Sequence, residues 1–511
     1  MLINTKTTGS KIEFCLFYLC LLLNIWLLFS QPFHPSYDGP AHLYYSRVIN
    51  YMLSGNTFLN QYFVFNKIPV PNLADHYLLA FFGLFFSSSV SEKLLLLIYL
   101  AGLPICFRSL VSHFNPEGKA LSILIFPLTH CLEFYVGGYN FCLSFVFMLA
   151  SVVYYARKKP PIQEVYTIVN YITFVLLTLT CYFSNGIAFL LLGLILGIYE
   201  ISMLVTYLRS KTPNQVSIKQ LCKRYILFGL AWLPGLVCLY LFNKYIHIPG
   251  DNTDITFSEH LAWLYNMRPL FIYTGDELVF SRLILSFVVI SFFIAVFYRY
   301  KAKKLFTFFF TDIFMLICLI SLACFFIVPN GATVGAMCNR FCYYFFFFLI
   351  LWIALQRTEF RYFNVLSLLV VITHFLFFFT CHYPKIKLMN RDIKAIQEAS
   401  TVIKCNSVVL PISANANWVE QYFSFYLGLD KPLYITQWYE PDQGWFALKH
   451  NPNMPSIGVK YKGQKRPDYI FVYNNLEIAL NKNPEIKEVL NTYYKLLLCT
   501  DYDNIHIYVL K

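Results

Sequence analysis

The chain has 511 residues, of which 58% are hydrophobic, 19% aromatic and only 13% charged. A soluble globular protein carries about 25% charged residues, so this composition excludes one large water-soluble core and describes a polytopic membrane protein. The net charge of +13 does not indicate nucleic acid, because the basic residues lie in short clusters between apolar runs and in a polar tail. No P-loop, zinc-finger spacing or basic patch interleaved with aromatics accompanies them.

The first apolar run, from about Phe14 to Phe29, follows Lys6 and Lys11. Its length and the lack of a small-x-small cleavage site make it a retained signal-anchor helix. Just beyond it stands Ser36-Tyr37-Asp38-Gly39-Pro40-Ala41-His42. Asp38 opens a predicted helix from Ala41 to Tyr51, with proline in the first turn. A carboxylate beside a membrane without a nearby cation is uncommon unless it has a task. Asp38 is therefore read as a helix cap, a catalytic group, or both. His42, four residues on, shares its helical face and could orient the carboxylate or bind phosphate.

Tyr77 to Phe86 is apolar but too short to span, since a crossing helix needs about 20 residues. Asp75-His76 precede it and Ser87-Ser88-Ser89 follow. It is expected to lie in the interface or dip partway, within a first outer loop of about 32–92. Asp75 and His76 are interfacial polar residues or part of a site. Backbone at that depth persists only where protein or a water-filled cavity lines it, so a cavity is expected there.

Eleven runs qualify as spans: about 12–31, 93–110, 119–136, 140–156, 165–183, 186–207, 225–243, 279–298, 306–328, 341–356 and 362–381. With a cytoplasmic N-terminus, 18 basic residues fall inside, seven outside and 15 in the tail. The inside set holds the clusters Arg157-Lys158-Lys159 and Arg299 to Lys304, so the positive-inside rule fixes this orientation. It predicts an extracytoplasmic tail.

Glu133 lies where a span meets a tight outer turn, in His130-Cys131-Leu132-Glu133-Phe134-Tyr135-Val136-Gly137-Gly138-Tyr139-Asn140. A buried glutamate there needs a partner: the first outer loop, His130 or a tyrosine. Glu200 and Asp312 fall toward the cytoplasmic ends of their spans, where structural roles are expected. On the outer side Arg340, Arg268 and Lys67 are the cations suited to phosphate oxygens or to lipid headgroups. The 15 cysteines are mostly inside apolar runs and act as small hydrophobes. Cys338 and Cys342 find no further ligand to complete a metal set.

From about His382 the chain turns polar. Strand-like pieces at 407–410, 469–472 and 505–509 alternate with helix-like stretches near 390–402, 417–427 and 483–493, which predicts a small α/β domain. The division is thus 1–381, an α-helical transmembrane domain, and 382–511, an extracytoplasmic α/β domain.

With Asp38 after the first span, a short helix in a long first outer loop, and Glu133 in the turn between the third and fourth spans, the chain resembles the GT-C class of membrane glycosyltransferases. Uncharacterised bacterial members with an extracytoplasmic C-terminal domain are the most similar, through Trp418 to Tyr426 and Lys431-Pro432-Leu433-Tyr434-Ile435. The sequence departs from the class in having Gly39 after Asp38 and no acidic companion for Glu133. The resemblance implies a multi-pass protein of the bacterial plasma (inner) membrane that moves a sugar, with inversion, from a polyprenyl-phosphate donor to an acceptor hydroxyl. Asp38 would be the general base and Glu133 the second acidic position. Arg340, Arg268, Lys67, His42 and His76 would contact substrate. The implied partners are the lipid-linked donor, membrane lipids and an unknown acceptor. The cofactor stays open, with a divalent cation, Mg or Mn, allowed. The competing classes are a transporter or flippase of lipid-linked substrates and a non-enzymatic membrane assembly protein.

Overall fold

The computed structural model describes residues 5–159, 166–209, 217–246, 255–273, 275–304, 307–331, 336–357, 363–413, 417–437, 440–459, 463–474, 476–482, 484–500 and 505–511. Lys211 and Arg361, two of the 18 basic residues counted inside, and residues 332–335, which shortly precede Arg340, lie outside them.

Among the described residues nine helices are long and apolar enough to cross a membrane. They are Lys11–Ser30, Ser88–Phe114, Pro116–Val136, Tyr139–Lys158, Gly186–Arg209, Ile218–Tyr245, Glu277–Lys301, Met337–Leu355 and Asn364–Ser400. The remaining two expected spans correspond to shorter apolar helices, Ile168–Ser184 and Asp312–Ile327. The protein is a multi-pass membrane protein, with nine such helices among the described residues. The last long helix differs from expectation in its end. It runs through a π-helical turn at Phe378–His382 straight into the polar helix Tyr383–Ser400. The change in hydropathy near residue 382 marks a change of surroundings rather than a break in the backbone.

Contacts divide the chain into two compact units. The helical unit comprises residues up to Leu27, Leu97–Phe134 and Asn140–His382. Helix Met337–Leu355 is buried along most of its length, and its phenylalanines pack ring on ring, as in Phe145 against Phe347 at 4.6 Å. A second cluster joins Phe17, Cys20 and Leu21 to Ile123, Phe126 and Val371. Three acids of this unit pair with guanidinium groups. Arg224 forks onto Glu200 at 3.1 Å, Arg108 binds Glu13, and Arg299 binds Asp312, which also accepts from Trp352 Nε1. Glu200 and Asp312 are thus structural ion-pair members.

The second unit comprises Leu28–Leu96, Tyr135–Tyr139 and Tyr383–Lys511. The first loop, which sequence groups with the membrane part, here packs with the tail. Its strands are β1 (Phe63–Phe65), β2 (Ser407–Ser413), β3 (Leu433–Ile435), β4 (Leu448–His450), β5 (Tyr469–Tyr473), β6 (Tyr494–Thr500) and β7 (Ile505–Leu510). Five form a sheet in the order β3-β2-β5-β7-β6, with β2 parallel to β3 and β5 and with β7 antiparallel to β5 and β6. The all-buried β5 sits at its centre, as the unbroken apolar run Tyr469-Ile470-Phe471-Val472-Tyr473 requires. The other two, β1 of the loop and β4 of the tail, pair antiparallel with Phe63 opposite His450. Helix Gly39–Leu53 is buried on nearly every face, with Tyr44 stacked on Phe425 and its hydroxyl donating to Leu433 O at 2.7 Å. The short loop helix is observed at Ala74–Gly83, anchored when Arg47 donates to Gly83 O.

Candidate functional site

Asp38 stands half-buried at the start of helix Gly39–Leu53, eight residues beyond Ser30. Its carboxylate makes no capping hydrogen bond to the helix, so the simple capping role is not what the side chain does. Its backbone is clamped. Tyr37 N donates to Tyr135 O at 3.1 Å and Asp38 N to Val136 O at 2.7 Å. Gly137, at φ +86°, lies so close that a Cβ there would fall 2.4 Å from Gly39 N and 3.0 Å from Asp38 N. A Cβ on Gly39 would meet Ser36 Oγ at 2.2 Å and Tyr139 Oη at 2.3 Å. Any side chain larger than glycine's after Asp38 would have to displace Ser36 or Tyr139. Tyr139 in turn donates to Glu92 Oε1 at 3.0 Å, while Glu92 Oε2 accepts from His34 N at 3.0 Å. Beside Asp38, Tyr37 rings meet Tyr422 at 4.8 Å and Trp418 at 5.8 Å, which makes an aromatic wall from the loop and the tail.

His42 and His76 meet in a second group of the same unit. His42 Nδ1 lies 2.8 Å from Glu440 Oε1 and 3.3 Å from Asp75 Oδ2. His76 Nδ1 contacts Asp75 Oδ1 at 2.6 Å, and its Nε2 contacts Glu440 Oε2 at 2.6 Å. All four side chains are buried. Without a bound ion, burial opposes charge on both imidazoles, but the two carboxylates outweigh it. The His42 pKa is held above its ordinary value, and that of His76 is pushed up to about 10. Burial raises the Glu440 pKa, yet the adjacent imidazoles leave it below the usual carboxylate range. His42 and His76 are therefore committed to each other and to two acids.

Glu133 belongs to the helical unit and is buried. Its partner is Arg340, with Nε 3.8 Å from Oε2, rather than the first loop, His130 or a tyrosine. Arg268 lies within electrostatic reach of it. Glu133 Oε1 and the Nε atoms of Arg268 and Arg340 have no hydrogen-bond partner among the described residues. Two guanidinium groups and one acid form a locally cationic set, suited to an anion with several oxygens. Lys67 is exposed, past the end of β1.

Asp38, His42 and His76 thus fall in one unit, and Glu133, Arg268 and Arg340 in the other. Sequence reasoning missed Glu92 and Glu440. Glu92 carried a usable signal, a carboxylate at the edge of a span like Asp38 and Glu133. Glu440 carried none, because 364 residues separate it from His76.

No family model matches the chain, and no curated protein matches it. Among solved structures, the apo crystal structure of ArnT from Cupriavidus metallidurans aligns over 99% of this chain and 98% of its own, at 11% identity and a TM-score of 0.38.

Proposed function

We propose that this protein is a membrane glycosyltransferase of the GT-C kind, taking its sugar from a polyprenyl-phosphate donor on the non-cytoplasmic side. The observation that carries the proposal is the clamp on Asp38. Two backbone hydrogen bonds and two glycines too crowded for any side chain hold that one carboxylate at the end of the first span. Positioning of this kind is what general-base catalysis needs. Asp38 takes the proton of the acceptor hydroxyl as its oxygen attacks the anomeric carbon. The bond from that carbon to the phosphate oxygen breaks, and polyprenyl phosphate leaves with the electron pair, so the configuration inverts. Within the helical unit, Arg340 and Arg268 beside Glu133 form a set whose guanidinium forks suit phosphate oxygens. The aromatic wall of Tyr37, Tyr422 and Trp418 suits the apolar face of a sugar ring.

The test is to incubate the purified protein with a panel of polyprenyl-phosphate sugars and candidate acceptors. Release of polyprenyl phosphate with one donor, and an inverted product by NMR, is the expected result. No release with any donor, together with transbilayer movement of a lipid-linked sugar by reconstituted protein, would replace transfer with transport.

A further inference from the structure

We propose that His42, Asp75, His76 and Glu440 bind one divalent ion of the zinc class, in a closed site that ties helices Gly39–Leu53 and Ala74–Gly83 to the tail. One donor atom from each of His42, Asp75 and His76 can be chosen so that all lie within 4.8 Å of one another. Around His42 Nδ1, Glu440 Oε1 stands at 2.8 Å, Asp75 Oδ2 at 3.3 Å and His76 Nε2 at 3.4 Å. A tetrahedral ion with ligand distances of about 2.0–2.1 Å has edges of about 3.3–3.4 Å, and these separations approach that figure.

The outer nitrogen of His76 is already engaged. Its Nδ1 meets Asp75 Oδ1 at 2.6 Å, which leaves Nε2, 2.6 Å from Glu440 Oε2, as the nitrogen available to an ion. Charge balance agrees. Two carboxylates and two neutral imidazoles neutralise a dication in a place where all four side chains are shut from water. His42 Nδ1 and His76 Nε2 both converge on the Glu440 carboxylate, at 2.8 Å from Oε1 and 2.6 Å from Oε2, and an ion bound there takes the place of the protons between them.

The donor chemistry narrows the ion. Imidazole nitrogen favours zinc and its neighbours, whereas magnesium and manganese favour all-oxygen sites. Four protein ligands leave no position for substrate, so the ion is structural. The Phe446 ring, 5.9 Å from His42 and 5.6 Å from His76, contributes the apolar cover.

The experiment uses the full chain in detergent, stripped with a chelating resin, equilibrated with zinc and gel-filtered before elemental analysis. About one zinc per chain is expected. His76→Ala and Glu440→Gln should each weaken zinc binding at least about tenfold. Should those variants fail to fold, cobalt(II) added to the stripped wild-type protein decides the matter. Intense visible absorption from a four-coordinate ion supports the site, and the weak spectrum of an octahedral ion overturns it. Wild-type protein that retains no zinc, or folded variants that retain it fully, would also overturn it.

Discussion

Three acids of the helical unit are each matched to one guanidinium, whereas in the unit of first loop and tail four ionisable groups converge on one point. Glu13 with Arg108, Glu200 with Arg224 and Asp312 with Arg299 each match one acid to one guanidinium. Such forks satisfy several donors and acceptors at once, which suits apolar surroundings where no water can help. The partners lie 13 residues apart for Arg299 and Asp312, 24 for Glu200 and Arg224 and 95 for Glu13 and Arg108. His42, Asp75, His76 and Glu440 come instead from three segments, the farthest in the tail. A pair neutralises a helix bundle; a convergence of this kind fixes segments that sequence leaves far apart.

The contrast can be broken most severely at a single pair. Arg224→Met leaves Glu200 buried and uncompensated, and should cost about 3–5 kcal/mol of stability. Adding Glu200→Leu should recover most of that loss, because the desolvated charge is gone. Thermal unfolding in detergent reads both, and a single variant as stable as wild type would refute the pairwise account. Gly39→Ala comes next, at about 1–3 kcal/mol, from forced contact with Ser36 and Tyr139. Gly55→Ala is its control. Nothing lies within 4 Å of that position, so only the strain of φ +87° remains, about 1 kcal/mol. Equal losses at the two glycines would show that crowding does not hold the Asp38 turn. The smallest effect belongs to Lys394 and Glu398, an i,i+4 pair with side chains 77% and 68% exposed. Lys394→Ala should change stability by less than about 0.5 kcal/mol.

The span pattern was legible because burial in lipid leaves its mark on composition over 20 residues at a time. The short loop helix near residue 77 and strands β2, β5 and β7 were legible for the same local reason. The pairing of β1 with β4 was not, since three-residue strands from loop and tail have no pattern of their own. Glu133 was visible as a buried acid that needed a partner, yet the choice of Arg340 depends on helix packing across some 200 positions. Asp38 was visible by place, but the reason for Gly39 appears only once Tyr139 and Ser36 are seen around it. His42 and His76 were seen as separate polar residues because the acid that unites them, Glu440, is remote.

The most direct measurement compares wild-type protein with Asp38→Asn in release of polyprenyl phosphate from whichever donor supports turnover. The account predicts a loss of about 100-fold or more in rate, with thermal stability unchanged. Asp38→Asn protein that turns over at the wild-type rate would contradict it.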